Sequence, residues 1–235
     1  MSIVFENRDC LAAMREWPDK AFDLAIVDPP YYSGPEKRGY YGRKISTTGV
    51  QRHYNVSIEK WEVPGEEYFA ALERVSKNYI VWGCNYFDWR FAPGRIVWDK
   101  CNGTSTFSDA EIAATNLFNS VRLFPYMWNG MFQGKSITEG RIQQGNKRLN
   151  EERIHPTQKP IALYTWILKR FAQPDWKVLD THVGSASSLI ACQRLGFAAV
   201  GYEIDEKYYN LAAQRLKHDA AEVQTSIFDC RNMPE

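Results

Sequence analysis

An acid, two prolines and an aromatic residue stand together as Asp28-Pro29-Pro30-Tyr31, directly after the apolar run FDLAIV at residues 22–27. The run predicts a buried strand, and the chain must then leave the sheet because prolines cannot continue a hydrogen-bonded ladder. Asp28 and the Pro29 carbonyl can each accept a hydrogen bond from an exocyclic amine, which would turn the nitrogen lone pair toward an electrophile, while Tyr31 can stack on a base. The alternative is a Pro-Pro turn whose aspartate caps a helix.

A second group of residues lies in the segment KVLDTHVGSASSLIACQRLGFAAVGYEID at residues 177–205. A strand ending at Asp180, a turn at Gly184 and a following helix would present free backbone N–H groups to a ligand. Glu203 ends the next strand, 19 residues after Gly184, where a carboxylate can accept hydrogen bonds from ribose hydroxyls. The loop has one glycine instead of G-x-G-x-x-G, which favours a nucleoside without phosphates over NAD or FAD. The alternative is that Gly184 and Glu203 only cap turns and helices.

The elements predicted around these residues alternate between strands and helices in the C-terminal part, which indicates parallel β-α-β units. Strands are predicted at residues 3–5, 22–27, 79–82, 95–98, 110–115, 121–128, 177–179 and 198–202. Helices are predicted at residues 65–76, 161–171, 186–195 and 206–216, with an amphipathic stretch around residues 11–17.

The composition is typical of a folded domain of ordinary size. The chain has 235 residues, of which 44% are hydrophobic and 24% charged, so we expect a single domain over residues 1–235 rather than a disordered chain. The net charge of +1 excludes a protein that is basic throughout. Residues 36–60 nevertheless carry +4 and residues 133–153 carry +2, against −5 elsewhere. Polyanion binding would therefore depend on two basic segments.

The cysteines and apolar runs give no sign of a metal site or of secretion. The five cysteines are scattered without a C-x-x-C pair, which is typical of a reducing cytoplasm. No metal ligand set is predicted, and His182 is expected to form hydrogen bonds within its loop. No apolar run reaches the roughly 18 residues of a membrane span. We therefore expect a cytoplasmic protein without membrane contact.

Four blocks of the sequence resemble the β-class (permuted) amino-methyltransferases of DNA, which use S-adenosylmethionine to modify adenine N6 or cytosine N4. The blocks are Asn7-Arg-Asp-Cys10, the tetrapeptide at 28–31, His155-Pro-Thr-Gln-Lys-Pro160 and the region from Asp180 to Asp205. In this order they cover nearly the whole chain. The resemblance implies an α/β, Rossmann-like class I methyltransferase fold with a mostly parallel seven-stranded sheet, flanked by helices and carrying inserted DNA-recognition loops. It also implies a phage- or prophage-like member acting at the bacterial nucleoid.

The resemblance assigns roles to residues at both motifs. The catalytic residues that it implies are Asp28, Pro29, Pro30 and Tyr31. Residues expected at the cofactor S-adenosylmethionine are Asp9, Cys10, Asp28, Thr157, Lys159, Asp180, His182, Gly184, Ser185, Glu203 and Ile204. Asp9 or its neighbour would lie near the cofactor adenine. Thr157 and Lys159 would lie near the methionine end, where an ammonium group can neutralise a carboxylate. Ala186 departs from the family's Gly-Ser-Gly loop and adds a methyl group where the backbone could approach the cofactor.

Two basic segments are expected to contact double-stranded DNA. One is a mobile loop at residues 33–60, and the other is a target-recognition insertion within residues 100–153. The candidate DNA-binding residues are Arg38, Arg43, Lys44, Arg52, Lys135, Arg141, Lys147 and Arg148. The alternative is that both segments are simply solvated. A homodimer is expected by analogy with the family.

The reaction favoured by the resemblance is site-specific methylation of adenine N6 in duplex DNA, because in this family Asp in the first tetrapeptide position mostly accompanies adenine N6 and Ser mostly accompanies cytosine N4. Base flipping and a role in restriction-modification are implied with it. Three alternatives stay open: a cytosine-N4 enzyme, an RNA or small-molecule methyltransferase, and an inactive DNA-binding relative.

Overall fold

The computed structural model describes residues 2–31, 62–103, 108–129 and 132–231. The expected DNA-facing loop at 33–60, with Arg38, Arg43, Lys44 and Arg52, lies outside these ranges. Within them, no helix has the length and apolar character that crossing a bilayer requires.

Helices and strands alternate up to residue 82 and again from residue 161, as the sequence indicates for the C-terminal part, and the regular elements described between them are strands and short 3-10 turns. The strands are β1 (Ile3–Asn7), β2 (Phe22–Val27), β3 (Ser76–Trp82), β4 (Gly94–Asp99), β5 (Ala110–Thr115), β6 (Val121–Pro125), β7 (Trp128–Asn129), β8 (Phe132–Gln133), β9 (Lys177–Asp180) and β10 (Ala198–Glu203). The helices are α1 (Cys10–Glu16), α2 (Glu66–Val75), α3 (Ile161–Phe171), α4 (Ser187–Leu195) and α5 (Glu206–Arg231).

The main sheet has the order β1-β10-β9-β2-β3-β5-β4-β6. All neighbours from β1 to β3 are parallel, β5 is antiparallel to both of its neighbours, and β6 is parallel to β4. The expected α/β fold with a mostly parallel sheet is confirmed.

The strand count differs from the seven that the resemblance implies, because β6 adds an eighth strand at one edge. It comes from the segment 121–128, which the sequence predicts as one strand. Pro125 ends β6, since a proline has no N–H for the ladder. The chain continues into β7, which pairs with β8 in a separate two-stranded sheet. The expected insertion at 100–153 therefore contributes β5 and β6 to the main sheet.

Both faces of the sheet are covered, as the continuous apolar run of β2 predicts. Leu24 and Ile26 belong to a buried cluster with Leu163 of α3 and Leu189 of α4. The alternate β2 residues, Ala25 and Val27, pack with α1 and α2 on the opposite face.

The order of the strands reverses between β9 and β2. The chain runs outward from β9 to β10 on one side and from β2 to β3 on the other. Ligands of open parallel sheets bind where such a reversal leaves a crevice at the carboxyl ends of the strands. Asp28 directly follows β2, and Asp180 is the last residue of β9, so both motifs come to this crevice.

Candidate active site

The carboxyl ends of β2, β9 and β10 border a cleft that encloses about 750 Å³, part of it open solvent. Many of the predicted site residues line it: Asp28, Pro29, Pro30, Tyr31, Thr157, Lys159, His182, Gly184, Ser185, Glu203 and Ile204. Three do not, namely Asp9, Cys10 and Asp180. The cleft therefore brings the tetrapeptide and most of the predicted cofactor residues to one place.

The two carboxylate oxygens of Asp28 have different surroundings. Oδ2 lies 2.5 Å from Nζ of Lys159. Oδ1 is buried and has no hydrogen-bond partner among the described residues. Burial raises the pKa of Asp28, while the ammonium of Lys159 acts in the opposite direction. Leaving a buried acceptor without a donor costs free energy. A ligand that brings an N–H or O–H group to Oδ1 would remove this cost.

Lys159 lies against two carboxylates of the protein. Its side chain is 2% exposed, and Nζ lies 2.9 Å from Oε2 of Glu111 as well as against Asp28. Burial disfavours the charged form, but the two carboxylates outweigh it and raise the pKa of Lys159. The ammonium therefore lies between two carboxylates of the protein. The role that the resemblance implies for Lys159, near the methionine end of the cofactor, stays a prediction. Glu111 is not among the predicted site residues, and its one signal in the sequence is an acid inside the strand AEIAAT.

The ring of Tyr31 is stacked on Tyr86, with centroids 4.6 Å apart and planes 7° apart. Gly83 permits this stack, because a Cβ built on it would lie 2.4 Å from the Tyr31 ring, and its φ of +69° is unfavourable for other residues. Tyr86 is 57% exposed. It is not among the predicted site residues, because no motif surrounds it in the sequence.

Glu203 and Gly184 form the pair predicted for a ribose. Oε2 of Glu203 accepts a hydrogen bond from the Gly184 amide at 2.9 Å, and Oε1 accepts one from the Asp205 amide at 2.9 Å. Burial raises the pKa of Glu203 despite these donors. Each oxygen keeps lone-pair capacity for a further donor such as a hydroxyl.

Of the three predicted cofactor residues that do not line the cleft, Asp180 and Cys10 contact the cleft residue His182, and Asp9 caps α1. Asp180 accepts hydrogen bonds from the His182 amide at 3.0 Å and from the Ser188 hydroxyl. Asp9 caps α1 by accepting the Ala12 amide at 2.7 Å. The Cys10 sulfur lies 4.0 Å from Nε2 of His182. These interactions are all with the protein itself.

Two histidines of the cleft are held neutral by their surroundings. Burial lowers the pKa of His182 to about 4 and that of His155 to about 3. Nδ1 of His182 lies 2.9 Å from the Thr181 hydroxyl. His155, which is not among the predicted site residues, packs on Tyr208. No group of three potential metal ligands occurs in the part of the chain that the structure describes.

Ala186, the residue that departs from the family's loop, has a φ of +63° and is fully buried in the core. It is not part of the cleft lining, so its methyl group packs in the interior. The neighbouring loop residues are held by α5: Arg215 donates to the Ser185 carbonyl at 2.7 Å and to the Ser187 hydroxyl at 2.9 Å. Arg215 also pairs with Glu151 at 3.0 Å.

The four described candidates for DNA contact are all exposed. Lys135 pairs with Glu139 at 2.9 Å, and Arg141 pairs with Asp99 at 3.1 Å. Lys147 and Arg148 begin a short 3-10 turn, Lys147–Leu149. Exposed pairs of this kind are weak, so these cations are accessible to phosphates.

Known proteins match this chain over most of its length. A family model described as a DNA methylase, N6_N4_Mtase, matches residues 22–214. The type II methyltransferase M.ScaI of Streptomyces caespitosus is 22% identical over 258 residues, which cover 93% of this chain and 82% of that protein.

Two solved structures resemble the fold. A crystal structure of an M1.HpyAVI–SAM complex has a TM-score of 0.52 and 18% identity, and covers 91% of this chain and 100% of its own. The cytosine-N4-specific PvuII DNA methyltransferase has a TM-score of 0.53 and 12% identity, and covers 93% of this chain and 91% of its own. At these identities the likeness concerns the fold alone.

Proposed function

The chain belongs to the N6_N4_Mtase family of DNA methylases, and on that premise we propose that it transfers a methyl group from S-adenosylmethionine to N6 of an adenine flipped out of double-stranded DNA. The observation that carries the proposal is Oδ1 of Asp28, which is buried in the cleft beside Pro29 and Tyr31 and has no hydrogen-bond partner in the part of the chain that the structure describes. An exocyclic amine of a base has N–H groups that can donate a hydrogen bond to this oxygen.

The cofactor side of the cleft fits a nucleoside. Glu203 offers both carboxylate oxygens to ribose hydroxyls while the Gly184 and Asp205 amides hold it in place. The loop lacks the three-glycine pattern that admits a pyrophosphate. S-adenosylmethionine has a ribose and no phosphate, and when bound it supplies a methyl group on a positively charged sulfonium.

The residues of the chain then act by positioning. Asp28 Oδ1 and the Pro29 carbonyl each accept an N–H of the amine, so the nitrogen becomes tetrahedral and its lone pair points away from both acceptors. Tyr31, supported from below by Tyr86, offers a ring face on which a base can stack. In the transfer the nitrogen would gain a bond to the methyl carbon while the methyl–sulfur bond breaks and leaves a neutral thioether. One nitrogen proton would pass by way of the Asp28 carboxylate to solvent, with no covalent intermediate on the enzyme. Orientation and exclusion of water supply the catalysis.

Identification of the methylated nucleoside tests the proposal. The protein is incubated with methyl-labelled cofactor and duplex DNA, and the digested DNA is analysed by mass spectrometry. We expect N6-methyladenine, and Asp28→Asn should lower the rate about 10²- to 10³-fold through loss of the charged acceptor. Asp19→Asn, which changes an exposed aspartate paired with Arg74, is the matched control and should leave the rate unchanged.

Other outcomes would identify a different reaction. Labelled N4-methylcytosine would move the assignment to the cytosine-N4 specificity of the PvuII enzyme. Label in RNA only would make RNA the substrate, and label in no nucleic acid would overturn the proposal. We also propose that the protein forms homodimers, which analytical sedimentation tests. Association with the nucleoid is part of the same proposal and is tested by localisation of a tagged protein.

A further inference from the structure

Four charged side chains form a continuous and largely buried chain that begins at the cleft. Lys100 pairs with Glu111, Glu111 pairs with Lys159, and Lys159 pairs with Asp28. The four side chains are between 2% and 18% exposed. Two acids and two bases balance to zero charge, which limits the cost of burying them.

Each member comes from a different part of the sheet or its connections. Asp28 follows β2, Glu111 lies within β5, Lys100 follows β4, and Lys159 precedes α3. Asp28 is thus connected to a part of the sheet that no motif of the family predicts.

We propose that Glu111 is a positioning residue for methyl transfer, which holds Lys159 against one oxygen of Asp28 and so keeps the other oxygen available to the amine. Lys100 holds Glu111 in turn. The inference rests on the proposed function, because it concerns the acceptor of that same reaction.

The geometry supports this role. An ammonium group has three donors, and with Asp28 as its sole partner it could bridge both carboxylate oxygens. The negative charge of Glu111 attracts the ammonium as well, since Nζ lies 2.9 Å from Oε2 of Glu111 and 2.5 Å from Oδ2 of Asp28. The contact with Oε2 is an ion pair without hydrogen-bond geometry. Oδ1 is the oxygen that stays without a partner among the described residues. The ring of Trp82, 5.6 Å from Nζ, further confines the ammonium.

Glu111 and Lys100 also act in opposite directions on the charge of Asp28. The negative charge of Glu111 raises the pKa of Asp28, and the positive charge of Lys100 lowers it. Other titratable groups interact with Asp28: Lys159 before α3, Tyr164 in α3, Tyr68 in α2 and Asp180 in β9. Each single replacement of Glu111 or Lys100 leaves these residues in the sequence and removes one charge of the group.

The test measures the titration of Asp28 directly. Protein labelled with ¹³C at aspartate carboxyl groups is titrated by NMR without cofactor or DNA, and Asp28→Asn identifies the resonance. Glu111→Gln should lower the pKa of Asp28 by roughly one pH unit, and Lys100→Met should raise it by a similar amount. The double variant should return it toward the parent value. Glu139→Gln, in an exposed pair with Lys135, is the matched control and should change nothing.

The same variants are assayed for methyl transfer. We expect the acid limb of the kcat–pH profile to move in the same two opposite directions. Glu111→Gln should lower kcat with little change in KM for the cofactor, and Glu111→Asp should restore part of the rate. Thermal unfolding establishes the folded fraction of each variant.

Shifts in one common direction, or no shift in either correctly folded variant, would overturn the inference. So would a Glu111→Gln variant that retains the parent kcat. If the parent methylates no nucleic acid while the NMR shifts occur as expected, the proposed function fails and the charge coupling itself stands.

Discussion

Asp28 and Asp180 are two aspartates at the ends of neighbouring strands, yet their oxygens are used differently. Asp28 keeps one oxygen without a partner among the described residues and opens on the cleft. Asp180 has both oxygens occupied by hydrogen bonds from His182 and Ser188. Their sequence contexts alone predict two site carboxylates. The difference in role follows from which donors each one meets, and that depends on the folded loop.

Asp180 makes stability depend on pH in an unusual direction. Burial raises its pKa from an ordinary value of 3.8 to about 7. An acid with a raised pKa favours the folded state while it is protonated, so this contribution is complete below about pH 4 and is lost as pH rises through about 7. Asp180→Asn removes the titration. The difference in unfolding free energy between parent and variant should therefore change between those pH values, by up to about 1.4 kcal/mol per pH unit.

The measurement is denaturant unfolding of both proteins at several pH values. The histidines with lowered pKa values are present in both and cancel in the difference. Asp19→Asn, at an exposed position, should show no such trend. A parent-minus-Asp180→Asn difference that is constant from pH 4.5 to pH 7.5 would rule out a pKa near 7.

At the scale of elements, local sequence predicts most of the parts, and distant contacts decide the rest. The bounds of β2 are predicted correctly because a buried apolar run meets two prolines. Helix α5 extends to Arg231 instead of ending near residue 216, since no glycine or proline interrupts it. The partners of Lys159 could not be predicted, because the order β3-β5-β4 that places Glu111 and Lys100 near it is not visible in any local pattern.

Arg215 couples α5 to the cofactor loop and to the segment before α3. It binds Ser185 and Ser187 in the loop and pairs with the largely buried Glu151. Arg215→Met leaves Glu151 buried without its cation, which should destabilise the protein by about 3 kcal/mol. The double variant Arg215→Met with Glu151→Gln should be less destabilised than the single variant. Denaturant unfolding of both singles and the double checks this.

The cofactor loop provides a second measurement for the same variants. Because Arg215 no longer holds Ser185 and Ser187 in either variant that replaces it, calorimetry should show weaker binding of S-adenosylmethionine to each of them than to the parent. Arg194→Met is the matched control, since it removes a pair with Asp219 of α5 without touching the loop. Equal free energies of unfolding for Arg215→Met and for Arg215→Met with Glu151→Gln would contradict the coupling between Arg215 and Glu151.

For the molecule as a whole, a net charge near zero conceals an uneven distribution. Lys147 and Arg148 are exposed on the segment that carries +2. If they bind phosphates, replacing both by Ala weakens duplex binding. It also reduces the slope of log K against log salt by about 1.8, because each phosphate that a cation neutralises accounts for about 0.9 of that slope. Binding is measured by fluorescence anisotropy at several salt concentrations.

Lys169→Ala with Arg170→Ala removes the same charge from exposed positions at the end of α3. This variant should have the same slope of log K against log salt as the parent. The comparison distinguishes the loss of phosphate-binding groups from a general decrease in positive charge. A slope unchanged by the replacement of Lys147 and Arg148 would exclude both residues from the DNA interface.

The pairing of β2 with β9 also determines when the protein can fold during its synthesis. Lys177 meets Asp23 across 154 residues of chain, and Asn7 meets Glu203 across 196. On the ribosome, β1 and β2 emerge early and wait with exposed apolar side chains until β9 and β10 follow. Pairings between such distant residues form slowly. The cleft can therefore form only after β9 and β10 have been synthesised.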